Sequence, residues 1–162
     1  MTSKADIETI IEQERLIVFK SFSEADAFAI GAHLKARADA GGLPIVIDIA
    51  LWDRRLFYFA RPGTTADNED WVRRKFNLVR RLHKSSYRIG REMAQNGKTM
   101  AERNLSEADH AAHGGSFPIR LANAGVIGAV TVSGLSQRDD HNIVVSVLAD
   151  HLGLDISGVT LT

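Results

Sequence analysis

The sequence predicts an α+β fold in which helices pack on a mostly antiparallel sheet. Two hairpins carry the prediction, one over residues 44–60 and one over 117–133, each built from β-branched and aromatic runs about a tight turn. Helical stretches lie before, between and after them. No repeat, low-complexity segment or linker divides the 162 residues, so residues 1–162 read as a single domain.

Element by element, residues 4–14 place Ile7, Ile10 and Ile11 at helical spacing. Residues 16–20, Leu-Ile-Val-Phe-Lys, have the composition of a strand. Ser23 opens a second helix with Asp26 three residues on, a capping box, and Gly41-Gly42 stops it after Ala40. Residues 44–51 and 55–60 form the first hairpin about Trp52-Asp53-Arg54, and Pro62-Gly63 ends it. From Asp67 to Asn96 the pattern is helical throughout, with Gly97 as its stop. Ser106 caps one more short helix, stopped at Gly114-Gly115. Residues 117–121 and 126–133 form the second hairpin, and residues 139–152 the last helix, stopped by Gly153.

Composition excludes several function classes. Twenty basic and twenty acidic residues leave no formal charge, which argues against a strongly basic nucleic-acid binder. The absence of cysteine removes disulfides, iron–sulfur clusters and thiol nucleophiles. No apolar run approaches the about 18 residues of a membrane span, and residues 1–15 have no apolar signal core. A cytoplasmic protein without membrane or nucleic-acid partners is expected.

The predicted long helix is the most informative stretch. Winding it at about 100° per residue aligns Val72, Phe76, Val79, His83, Ser86 and Gly90. Opposite them lie Arg73, Arg74, Arg80, Arg81, Lys84, Arg88 and Arg91, almost uninterrupted by acid. Such a face serves solvation, ion pairs across a subunit boundary, or an anionic ligand, and arginine favours the interface. No aromatic residue interleaves the cations, which disfavours single-strand nucleic-acid stacking. His83 falls at the centre of the apolar stripe, either as a core histidine with a satisfied ring or as a ligand facing a pocket. Ser86 and Gly90 leave room beside it.

Asp109, His110 and His113 share a face if their segment is helical. Together with Asp139, Asp140 and His141 they make a candidate carboxylate–imidazole metal site for Zn, Fe or Ni, with His110, His113, His141 and Asp140 as its ligands. Three look-alike motifs fail. Gly97-Lys98-Thr99 lacks the first glycine of a phosphate loop, Glu92 standing in its place. His113-Gly114-Gly115-Ser116 has no nucleophile elbow to accompany it. The glycines of residues 125–134 lie before and inside a strand, where a dinucleotide fingerprint needs a strand-to-helix turn. In a strand they permit close approach of a helix, a ligand or another subunit.

Two stretches resemble a known superfamily when taken together. His-Gly-Gly-Ser-Phe-Pro-Ile-Arg (113–120) and Gly-Val-Ile-Gly-Ala-Val-Thr-Val-Ser-Gly-Leu-Ser-Gln-Arg-Asp-Asp-His (125–141) are similar to the haem-degrading domain of GlcG-like and HbpS-like proteins. Residues 70–87, Asp-Trp-Val-Arg-Arg-Lys through Arg-Arg-Leu-His-Lys-Ser-Ser-Tyr, resemble the branch called uncharacterised protein family 0303. The resemblance implies a profilin-like sandwich on a five-stranded antiparallel sheet, assembly into a closed homo-oligomer, and haem or a related tetrapyrrole as ligand in a sensing or storage role. No Cys-x-x-Cys-His is present, so any haem is held by histidine and apolar contacts.

The leading expectation is therefore a non-enzymatic small-ligand-binding homo-oligomer. His83 is the candidate axial ligand, Arg80 and Lys84 the rim cations, and Ser86 and Tyr87 further pocket residues. The alternatives are an oligomeric interaction protein, accessory to protein handling, and a metal-dependent enzyme at the histidine clusters.

Overall fold

The computed structural model describes residues 3–162, with side chains from Lys4 onward. Helices α1 (Ser3–Leu16) and α2 (Glu24–Gly41) precede strands β1 (Val46–Leu51) and β2 (Arg55–Ala60). Helices α3 (Ala66–Leu82) and α4 (Ser86–Asn96) follow, then a 3-10 turn at Ala101–Arg103. Strands β3 (Ser116–Leu121) and β4 (Gly125–Ser133) and helix α5 (Gln137–Leu152) complete the chain. The strands form one antiparallel sheet in the order β2-β1-β4-β3. The expected capping box is present: the Ser23 N–H donates to Asp26 at 2.8 Å, and Gly42 closes α2 at φ 61°. Among the described residues no helix is long and apolar enough to cross a membrane.

The sheet has four strands, not five. Helix α1 runs through Leu16, and the Ile17 N–H still bonds to Gln13 O, so the β-favouring composition of residues 16–20 is largely spent before the chain can extend. What remains is one parallel bridge, Phe19 to Leu121, with the Phe19 N–H on Arg120 O at 2.8 Å.

The long helix is also broken. His83 takes the left-handed conformation at φ 55° as the C-cap of α3, and Ser85 is the N-cap of α4. Histidine is among the side chains that tolerate this region. Glu14 of α1 holds the break, accepting from the buried Ser85 N–H at 2.8 Å and from Arg88 at 2.6 Å. The helical wheel that placed His83 in an apolar stripe therefore fails: the side chain is exposed and stacks on Trp52, centroids 5.8 Å apart. Residues 106–113 form no helix: after Ser106 the chain makes a single turn, with the Asp109 and His110 N–H groups both donating to Ser106 O.

The two faces of the sheet differ in chemistry. Ile45, Ile47 and Ile49 of the first strand region, with Phe117, Ile119, Val130 and Val132, form the main apolar core beneath α2 and α5. Alternate residues point the other way, beneath α3, and they are small or polar: Asp48, Ala50, Ser116, Ala129, Thr131 and Ser133. This layer is buried and hydrogen-bonded within itself. Ser116 Oγ and Thr131 Oγ1 are 2.8 Å apart, and Ser86 Oγ accepts from the Ser116 N–H.

His141 of α5 is enclosed between Tyr87 and Phe117. Gln13 donates to Val159 O and so turns its carbonyl oxygen to the ring, making Nε2 of His141 the donor at 2.8 Å. The Nδ1 lone pair accepts nothing among the described residues. Burial, helped by the nearby Arg138 charge, lowers the pKa of His141 from 6.5 to about 3. In the unfolded chain the same ring takes a proton near its ordinary value, so its contribution to stability is complete above that value and is lost as the pH falls toward the folded one. By about pH 5 the loss is about 2 kcal/mol. Urea unfolding at neutral pH and at about pH 5 is expected to show this fall in the wild type and a shallower one in His141→Gln; equal slopes would refute the assignment.

Candidate functional site

Consecutive turns of α3 present Trp71, Arg74 and Lys75 toward the segment that leads into β3. That segment is tied to the helix by its backbone. The Ala111 N–H donates to Arg74 O at 3.1 Å, Asn77 Nδ2 to Asp109 O at 2.9 Å, and Arg73 to Ala108 O at 2.7 Å. Two glycines permit so close an approach. A Cβ on Gly90 would lie 2.2 Å from Ala112 O, and one on Gly115, at φ 129°, would lie 2.2 Å from Val132 O and 2.8 Å from Lys75 Nζ. The result places the His113 ring edge-on to Trp71, centroids 4.9 Å apart.

The Trp71–His113 pair is a wall shared by two cavities. The first, about 220 Å³, is polar, lined by Asp67, Asn68, Gln137, Ser133, Lys75 and Asp140 besides the shared pair. At its base the Lys75 ammonium, 3% exposed, donates to Asp140 Oδ2 at 3.0 Å and to Val132 O at 3.1 Å. Asp140 also accepts from the backbone N–H groups of Gly134 and Leu135. Burial pushes the Lys75 pKa down and that of Asp140 up, against the attraction of the pair, so both groups are driven toward their neutral forms.

The second cavity, about 390 Å³, is lined by Met93, Met100, Gly90, Ala112, Arg74 and His110 besides the shared pair. His110 Nδ1 lies 3.0 Å from Ser106 O, which can only accept, so in the neutral ring the bare lone pair is on Nε2. Desolvation, with the charges of Lys75 and Arg74, lowers the pKa of His113, which leaves that imidazole neutral at physiological pH. Arg74 stacks on Trp71 at 4.1 Å and pairs with Asp70 at 2.9 Å.

The residues singled out in the sequence are not all brought together. Neither cavity is lined by His83, Arg80, Lys84, Ser86 or Tyr87. Ser86 and Tyr87 are buried packing residues of α4, Lys84 pairs with Glu92 at 3.0 Å, and Arg80 is exposed. The four-residue metal site does not assemble: His141 is bonded to Gln13 and lines neither cavity, Asp140 is bonded to Lys75, and His113 shares one cavity with His110 and the other with Asp140. Among the described residues no three His, Asp or Glu side chains are grouped to hold a metal ion. Nor is the cationic face free of acid, since Asp70 engages Arg73 and Arg74, Glu92 engages Lys84 and Arg88, and Asp6 engages Arg91.

Lys75 is the functional candidate that sequence reasoning missed. Its signal was present: it stands three residues after Val72 and four before Val79, on the apolar line of the helix.

Known proteins share this arrangement of elements. The family described as "Haem degrading protein HbpS-like" matches residues 22–149. A UPF0303 protein of Brucella canis is 51% identical over 154 residues, covering 94% of this chain and 91% of its own. Among solved structures, the Ybr137w protein superposes with a TM-score of 0.86 at 27% identity, covering 93% of this chain and 92% of its own. A PduOC:heme complex superposes at 0.67 with 17% identity, covering 80% and 94%, and so bears on the fold alone. By sequence along most of its length, the chain belongs to the HbpS-like haem-degrading protein family, on its UPF0303 branch.

Proposed function

We propose that this protein is a small-ligand-binding homo-oligomer whose ligand is haem or a related tetrapyrrole, held in the larger cavity between α3, α4 and the segment before β3. The observation that carries the reading is His110: a backbone carbonyl takes its Nδ1 hydrogen, leaving Nε2 free beside an apolar cleft. Iron-binding histidines are oriented in this way by a partner on the second nitrogen. The donor set suits haem. Imidazole and thioether are the axial ligands haem iron accepts, and His110, His113, Met93 and Met100 supply them. Trp71 and Ala112 offer apolar wall, and Arg74 keeps guanidinium donors beyond its Asp70 pair for a carboxylate at the rim. The description of the family, a haem-degrading protein, supports the ligand class. The exposed His83, stacked on Trp52, is the second place where an iron ligand is offered.

Haemin titration followed by visible absorption tests the proposal. A saturable Soret shift is expected in the wild type and in His83→Ala, with at least a tenfold weaker response in His110→Ala or His113→Ala. Loss confined to His83→Ala moves the ligand to the outer surface, and no shift in the wild type removes haem.

Assembly is proposed through the open edge of β2. Phe28 of α2 is 67% exposed beside Phe57 of that strand, ring centroids 6.3 Å apart, an apolar pair at an edge with unused backbone groups. Size exclusion with light scattering is expected to give a multiple of the chain mass for the wild type and a reduced one for Phe28→Asp; a wild type of single-chain mass would overturn it.

A further inference from the structure

The smaller cavity is not used by the haem reading, and its base is unusual. A lysine amine is buried there against one carboxylate, and the carboxylate is itself held by two backbone N–H groups. Three features distinguish this from a buried pair that only fastens elements together. The pair lines an open cavity, so a molecule can reach it. Lys75 uses two acceptors, Val132 O and Asp140, and an ammonium carries three N–H groups. Its partner is one proton transfer away at 3.0 Å, which gives the amine a route to its nucleophilic form.

We propose that Lys75 is a reactive amine that condenses with aromatic or hydroxylated aldehydes entering this cavity, and that Asp140 carries the proton. Asp140 takes a proton from the ammonium, and the amine nitrogen then attacks the carbonyl carbon. A C–N bond forms, and the carbonyl oxygen gathers two hydrogens and leaves as water. The nitrogen ends as a protonated imine facing the Asp140 carboxylate. Ammonium and aldehyde thus become protonated imine and water, with no change in net charge and no oxidant or reductant.

The lining selects the ligand class. Trp71 and Leu135 offer apolar lining to an aromatic aldehyde, while Asn68, Gln137 and Ser133 offer hydrogen bonds to hydroxyl groups. Asp67 and Asp140 make the cavity a poor host for phosphate. The inference does not rest on the haem reading, because Lys75, Asp140 and Gln137 do not line the haem cavity.

Pyridoxal, an aromatic hydroxy-aldehyde without phosphate, is the probe. The protein is incubated with it, reduced with borohydride, and mapped by peptide mass, with the exposed Lys20 and Lys98 as internal references. Lys75 is expected to carry at least tenfold more adduct than either reference at low pyridoxal. Asp140→Asn removes both the charge that favours the ammonium and the proton carrier, so its labelling is expected to lose the pH dependence that the wild type shows near neutral pH. Gln137 is exposed on the first turn of α5, so Gln137→Trp retains the fold while narrowing the entrance; it is expected to remove the preference for Lys75. Labelling of Lys75 no greater than that of the exposed lysines overturns the proposal. So does a Lys75 preference that survives Gln137→Trp, which would mean the aldehyde does not enter here. An Asp140→Asn variant whose labelling follows the wild-type pH profile removes the proton-carrying role.

Discussion

An ammonium group cannot be withdrawn from water without a partner, and α3 withdraws one. Lys75 is the point at which three parts of the chain must agree: the helix that carries it, the end of β4 that offers Val132 O, and the start of α5 that offers Asp140. Removing one member of such a pair typically costs about 3–5 kcal/mol, more than most single contacts. The pair also explains why α3 can rest on the side of the sheet that lacks a large apolar surface. Serine, threonine and aspartate line that side, and its polar groups are matched within the layer or by the helix. The opposite side needs no such matching, because isoleucine and valine pack there against α2 and α5.

From this constraint the two cavities follow. Because α3 is anchored at Lys75, Trp71 one turn earlier is fixed in place. The incoming segment, pressed close by Gly90 and Gly115, must then set His113 against it. Seated by a polar pair, the helix leaves room beside its aromatic residue.

Much of this fold was legible in the residues. The hairpins, the Ser23–Asp26 capping box and the glycine stops were visible because each is local: a few neighbours decide the conformation. The strand expected at residues 16–20 was lost to a competitor, since α1 continues through Leu16 and leaves only Phe19 to pair. The break at His83 was hidden for a different reason. The sequence between the two helices is compatible with helix, and what holds the break is Glu14, about seventy positions away along the chain. Once the helix was read as continuous, the wheel placed His83, Ser86 and Gly90 on a common line that does not exist. His110 and His113 were found for their chemistry, although the shared helical face that suggested them is absent. Lys75 was passed over because a lysine among arginines reads as one more surface charge. Only its phase relative to Val72 and Val79 marks it as inward-facing.

The two margins of the sheet are not equivalent. On β3, Pro118 has no N–H to offer, the register slips between Ile119 and Arg120, and Phe19 occupies a further position. On β2 the register also slips, Leu56 lying unpaired between Arg55 and Phe57, but no proline and no bridging residue covers that edge among the described residues. A sheet that can be extended from one side only behaves like a tile with a single sticky border. Two copies joined there satisfy each other about a two-fold axis, and no border remains for a third. If copies of this chain pair there, as proposed, the pairing ends at two, and the open edge of β2 then carries none of the hazard of endless fibre growth that an open edge on both sides would bring.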